Sequence, residues 1–164
     1  LPMSERTADL ENLVIREARL DDLPVLISIF AADTLGGHGD TTSDEAYDDY
    51  RDAFEAIKAS ASNTLYVAEL DDIIVGTFQT TYIRTLTGRG GASLTIEAVQ
   101  THPDWRGRGI GSKMIEAAID EAKIEGCRLV QLMSNAARED AHRFYERLGF
   151  CQSHLGFKMK LHGA

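Results

Sequence analysis

The stretch Val99-Gln100-Thr101-His102-Pro103-Asp104-Trp105-Arg106-Gly107-Arg108-Gly109-Ile110-Gly111-Ser112 holds three glycines and two arginines just ahead of an apolar helical pattern. A strand–turn–helix passage of this kind aims unpaired backbone N–H groups at one point, where the helix dipole adds partial positive charge. Glycines at 107, 109 and 111 remove side chains that would hold an anion off the backbone. Arg106 and Arg108 bring positive charge beside it. The chemistry implied is a backbone cradle whose natural guest is a pyrophosphate. A few residues upstream, Glu97 stands in the run Leu94-Thr95-Ile96-Glu97-Ala98-Val99, where a carboxylate is out of place unless paired or functional. Regular alternation puts it on the face of Val99 and Thr101. It is a candidate general base, or equally the partner of Arg84 or Arg89 in an ion pair across a hairpin.

Three nucleotide motifs compete for the glycine bend. A Walker A loop needs Gly-Lys-Ser/Thr, whereas the order here is Gly111-Ser112-Lys113. A dinucleotide fingerprint needs GxGxxG inside a parallel unit, whereas this GxGxG follows an antiparallel strand. The third, Q/R-x-x-G-x-G/A, is met at every fixed position by Arg106-Gly107-Arg108-Gly109-Ile110-Gly111, and there the chain resembles the GNAT superfamily of N-acetyltransferases. Asn135 followed by Ala141-His142-Arg143-Phe144-Tyr145-Glu146-Arg147-Leu148-Gly149-Phe150 resembles that family's second signature, so the likeness covers nearly the whole chain.

The resemblance implies acetyl-CoA as cosubstrate, with pantetheine held along the backbone of Val99 and Thr101. It implies a pyrophosphate site at Arg106, Gly107, Arg108, Gly109, Ile110, Gly111 and Ser112, and a coenzyme contact at Asn135 across a cleft. A backbone N–H near Val99, in a local strand distortion, would polarise the thioester carbonyl. Tyr145 matches the family tyrosine that donates a proton to the departing thiolate; its alternative is packing with Phe144. Many relatives carry a carboxylate at the position of Glu97 that acts as base. The expected reaction is direct attack by a primary amine, with Asp33, Asp40 and Tyr47 as candidate contacts to a small-molecule acceptor. Alternatives are a protein lysine or N-terminal acetyltransferase and a non-catalytic acyl-CoA sensor. A homodimer is compatible with the resemblance, and no residue fixes it.

The elements that must position these groups follow from periodicity. Leu13–Ala18 reads as a strand. Asp21 or Asp22 then caps a helix with Pro24 in its first turn and Val25, Leu26, Ile29 and Phe30 at helical spacing. Gly36, Gly37 and Gly39 make a loop before a second helix, capped by Ser43 and striped by Tyr47, Tyr50, Phe54 and Ile57. Leu65–Leu70 and Ile73–Thr85 form a hairpin through Asp71-Asp72, and Ser93–Thr101 completes an antiparallel meander. Helices at Ile110–Glu125 and Asp140–Leu148, closed by Gly126 and Gly149, flank a strand at Arg128–Met133, and Phe150–Leu161 reads as a final strand. The order β-α-α-β-β-β-α-β-α-β predicts an α/β domain over residues 3–164. Its sheet would have six to seven mostly antiparallel strands with helices on both faces.

The 164 residues, 43% hydrophobic and 26% charged, suit one soluble domain. No apolar run reaches the ~18 residues of a membrane span. The net charge of −9 disfavours a nucleic-acid partner. The charge is uneven: residues 1–75 carry 17 acids and 5 bases, and the rest 9 acids and 12 bases. An acidic half beside a mildly basic one suits a cationic ligand held against a polyanion. Cys127 and Cys151 are too few for a disulfide framework, and with no apolar leader at the start the expected setting is cytoplasmic. No metal-ligand spacing occurs. Leu1 and Pro2, ahead of Met3, read as an expression remnant.

Overall fold

A computed structural model describes residues 9–162 of the chain; the expected remnant at Leu1 and Pro2 lies outside the described residues. The chain divides into two compact units, one up to Gln131 and one from Leu132. No helix among the described residues is long and apolar enough to cross a membrane.

The first unit is built on the meander that alternation predicts. Strands β1 (Leu13–Glu17), β2 (Asn63–Leu70), β3 (Ile73–Arg84) and β4 (Ala92–Thr101) pair antiparallel in that order. Asp71 (φ 48°) and Asp72 (φ 67°) are both left-handed, the conformation a two-residue hairpin turn requires. Strand β5 (Leu129–Leu132) lies beside β4. Arg128 N–H donates to Ala92 C=O at 2.9 Å and Gln131 Nε2 to Thr95 Oγ1 at 3.0 Å, so the two strands advance together and β5 is parallel.

Helices cover both faces. Helices α1 (Leu23–Ala31) and α2 (Tyr47–Ala59) share an apolar cluster with Val67, in which Leu26, Ile27, Ile29 and Phe54 are buried. Helix α3 (Ile110–Ile124), which connects β4 to β5, packs against the opposite face. There Gly76 lets the helix in: a Cβ at that position would sit 2.8 Å from Met114 Sδ and 3.2 Å from the Gln100 carbonyl oxygen. Tyr66 stacks on Phe78 at 5.0 Å and donates its hydroxyl proton to Glu121 of α3 at 2.9 Å. Gly126 (φ 73°) closes α3 as expected, with Gly126 N–H on Lys123 C=O and Cys127 N–H on Ala122 C=O.

In the second unit, helix α4 (Glu139–Arg147) ends in the same motif. Gly149 takes φ 100°, and Phe150 N–H donates to Tyr145 C=O at 3.1 Å.

Two expectations are corrected. Among the described residues the sheet has five strands rather than six or seven, because Phe150–Leu161 forms no strand. The alternation of Leu155, Phe157, Met159 and Leu161 is present in the sequence, but the whole segment 151–162 is exposed, and alternation does not supply a ladder partner. Ser43 precedes a 3-10 turn at Asp44–Ala46 and its side chain caps nothing, so α2 starts later, at Tyr47.

The entry to α1 is fixed by charge. Arg16 of β1 holds Asp22 through two hydrogen bonds of 2.8 and 3.0 Å and Glu69 through a third of 2.8 Å, while Asp22 also accepts Arg19 N–H at 2.7 Å. Burial raises the Asp22 pKa, but the Arg16 and Arg19 hydrogen bonds together outweigh it and leave the carboxyl below its ordinary value. A depressed carboxyl stabilises the fold above its unfolded pKa, and that stability is lost as pH falls through the native value. Urea unfolding from pH 6 downward is expected to show stability declining below about pH 4. Asp22→Asn should lose toward the lower end of ~3–5 kcal/mol at pH 7 and flatten that decline.

Candidate functional site

Strand β4 is irregular at the segment of interest. Thr77 pairs with Gln100 and Gln79 with Glu97, so Phe78 alone faces both Ala98 and Val99. This is a β-bulge, and Ala98 pays for it with a left-handed φ of 52°. The extra residue breaks the ladder and frees backbone groups beside Val99, in the distorted segment where a polarising N–H was expected.

The bulge also corrects the assignment of faces. Ile96 opposes Thr80 and Thr101 opposes Gly76, which puts both on the α3 side. Glu97 and Gln100 oppose Gln79 and Thr77 and therefore face α1 and α2, as does Val67 opposite Thr77. Glu97 does not share a face with Thr101, as strict alternation would have it. One inserted residue reverses the count.

The Glu97 side chain is exposed and lies 3.3 Å from Thr81 Oγ1, which itself is 2.8 Å from Asn63 Oδ1. Among the described residues Glu97 forms no ion pair with Arg84 or Arg89; Arg84 instead donates to Gly90 C=O at 2.7 Å. The carboxylate thus stays in reach of solvent on the face shared with α1 and α2.

Beyond Thr101 the chain makes one last sheet bond, His102 N–H to Val75 C=O, and turns through Pro103–Trp105. His102 Nδ1 accepts Asp104 N–H at 3.1 Å, which ties the ring to this turn. Arg108 lies over the Trp105 ring at 4.6 Å, whereas Arg106 is exposed. Gly107 (φ 73°) and Gly109 (φ 87°) then swing the backbone into α3. No side chain caps that helix, and the first intrahelical bond runs from Lys113 N–H to Gly109 C=O. The N–H groups of Ile110, Gly111 and Ser112 open a 15-residue helix with no intrahelical acceptor. Gly111 is helical, so its contribution is the missing side chain rather than an unusual dihedral. Phosphate-sized anions fit such an end by hydrogen bonding and by the dipole together.

The candidate acceptor contacts occupy the α1–α2 side. Asp33 accepts Gln100 Nε2 at 2.8 Å and Gly36 N–H at 3.2 Å. Asp40 accepts the Tyr50 hydroxyl at 2.7 Å. Tyr47 packs half-buried on the α1–α2 cluster. Sequence reasoning missed Gln100, Thr81 and Ala98. Nothing in their types announces them, since each matters through the register of β4.

In the second unit, Asn135 Oδ1 accepts Ala137 N–H at 2.9 Å, and its carbonyl accepts Arg138 N–H. The same carbonyl lies 2.9 Å from His142 Nε2, which must carry the proton because a carbonyl only accepts. Tyr145 meets Phe144 at 5.1 Å and Phe150 edge-on at 6.0 Å. Burial raises the Tyr145 pKa against a smaller pull from Arg138, so its phenol keeps its proton through the neutral range.

A family model described as Acetyltransferase (GNAT) family matches residues 24–150, a span that includes parts of both units. Among solved structures, a transcriptional regulator from Bacillus halodurans C-125 is 42% identical with TM-score 0.87, covering 91% of this chain and 99% of that one. A putative acetyltransferase from Agrobacterium tumefaciens str. C58 is 29% identical with TM-score 0.78, covering 90% and 99%. The aminoalkylphosphonate N-acetyltransferase of Salmonella typhimurium is 42% identical over 66 residues, 40% of this chain and 43% of that protein. The match thus spans less than half the length of this curated relative.

The left-handed bend makes its own prediction. Gly109→Ala puts a side chain into αL at the start of α3 and should cost about 1–2 kcal/mol, read from the midpoint of urea unfolding at unchanged slope.

Proposed function

The chain belongs to the GNAT acetyltransferase family, and on that premise we propose that it transfers acetyl from acetyl-CoA to the primary amine of a small molecule by direct attack. The observation that carries this reading is the uncapped N-terminus of α3, entered through two left-handed glycines directly after a bulged strand. The amides of Gly107–Ser112, with Arg106 and Arg108, hold the diphosphate. Val99 and Thr101 offer backbone groups to pantetheine, and Asn135 contributes a further coenzyme contact. The coenzyme supplies an activated acyl group. The protein supplies the rest. The freed backbone beside Val99 polarises the acyl oxygen. Glu97, solvent-accessible and without a cationic partner among the described residues, removes a proton from the attacking ammonium, directly or through water. Tyr145 returns a proton to the thiolate, a role supported by the burial that keeps its phenol neutral.

Asp33, Asp40 and Tyr47 border the acceptor. The Salmonella relative's name makes aminoalkylphosphonates the first amines to try. We read residues 3–164 as one transferase domain, since the family match runs through both units. The free cysteines Cys127 and Cys151 support a cytoplasmic setting. A second reading, a coenzyme-binding sensor without turnover, is favoured by the Bacillus halodurans neighbour described as a transcriptional regulator. The excess of negative charge speaks against direct contact with DNA.

Thiol release from acetyl-CoA across a panel of primary amines tests the reading: turnover supports the transferase, and tight coenzyme binding without turnover supports the sensor. Tyr145→Phe should lower kcat about 10²-fold with coenzyme affinity within twofold of wild type; an unchanged kcat removes the acid assignment. Glu97→Gln should lower kcat by a similar factor and abolish the rise of rate from low pH. A pH–rate profile matching wild type would argue against it as base.

A further inference from the structure

The loop between α1 and α2 is pinned at its start by a side chain 67 residues away and at its end by Tyr50 of α2. At its start, Gln100 of β4 donates Nε2–H to Asp33 Oδ2 at 2.8 Å, and Asp33 Oδ1 accepts Gly36 N–H at 3.2 Å. The amide orientation is fixed by chemistry, since Oε1 facing a carboxylate would oppose two acceptors. At its end, the Tyr50 hydroxyl donates to Asp40 at 2.7 Å and accepts Thr41 N–H at 3.2 Å. Between the anchors lie Gly37 (φ 63°) and Gly39 (φ 76°), with Leu35 and His38 exposed.

What gives the first anchor meaning is the bulge. By inserting one residue after Glu97, it turns Gln100 to the α1–α2 side, the side Glu97 faces. The segment that carries the proposed base therefore also holds the loop. We propose that Gln100 is a specificity-determining positioning residue: through Asp33 it fixes the 33–42 loop to β4 as a wall of the acceptor site, so that acceptor recognition depends on this bond while coenzyme binding does not. The proposal rests on the transferase reading for its kinetic consequence. The anchor itself is independent of it.

Gln100→Glu replaces the donor by a second carboxylate at the same contact, which repels Asp33 and releases the loop. Adding Asp33→Asn to Gln100→Glu reverses donor and acceptor and restores the bond. The probes are 2-aminoethylphosphonate, putrescine and a lysine-containing peptide, assayed by thiol release, with acetyl-CoA binding measured by calorimetry. For whichever amine wild type acetylates, Gln100→Glu should raise the amine KM at least about tenfold with coenzyme affinity within twofold. Because Asp33 is itself a candidate acceptor contact, the double variant is read on the loop: hydrogen exchange across residues 34–42, about tenfold faster in Gln100→Glu, should return to the wild-type rate.

An unchanged amine KM in Gln100→Glu, an equal loss of coenzyme affinity, or no recovery of loop protection in the double variant overturns the proposal. If wild type acetylates none of the three, the small-amine reading is what fails, and hydrogen exchange then decides the anchor. Exchange across residues 34–42 that is about tenfold faster in Gln100→Glu and restored in the double variant upholds the loop attachment; exchange that stays at the wild-type rate removes it.

Discussion

One extra residue in β4 governs the candidate site. A regular strand would keep an unbroken ladder with β3 and send Glu97 and Thr101 to the same side. The bulge at Ala98 and Val99 breaks that pairing where the proposed transfer would need a donor to the acyl oxygen, and it sends Glu97 and Gln100 toward α1 and α2. It costs a non-glycine residue in the left-handed region, of order 1–2 kcal/mol, which the flanking pairs on both sides must offset.

The bulge works because its surroundings are rigid. On one face α3 approaches closely enough that a Cβ at Gly76 would press on Met114, which is fully buried there, and on the Gln100 carbonyl oxygen. The helix that follows the glycine bend is thereby held to β3, the strand paired with the one that leads into the bend. On the other face, Arg16 bridges β1, β2 and the start of α1 through Glu69 and Asp22, and the α1–α2 cluster seals around Val67. Polar contacts and apolar packing divide the labour: the ion pairs set the angle at which α1 leaves the sheet, and burial supplies the adhesion.

The charge asymmetry of the chain acquires a place in this arrangement. Eight of the 17 acids in the first half lie in α2 and the loop before it, on the helical side of the sheet that Glu97 and Gln100 face, while α1 itself carries none. Arg106 and Arg108 flank the bend that opens α3. An amine bound on the first side and a diphosphate on the second would each meet charge of the opposite sign.

Local patterns were enough to read β1 through β4, the helices α1 to α4 and the glycine stops of α3 and α4, because each depends on periodicity or on a backbone angle that one residue type prefers. The glycine bend was legible for the same reason: only glycine passes freely through the angles found at 107 and 109. The side chains that share a face with Glu97 were not legible, since alternation counts residues and an insertion in the ladder is invisible until the strands are paired. Nor was the absence of a strand at Phe150–Leu161, where the alternation is present without the partner that makes a ladder. The hydrogen bond between Asp33 and Gln100 joins residues 67 apart in the chain. Sequence determined which elements form and what they could bind. Register and packing, which exist only once distant segments meet, decided which side chains stand together.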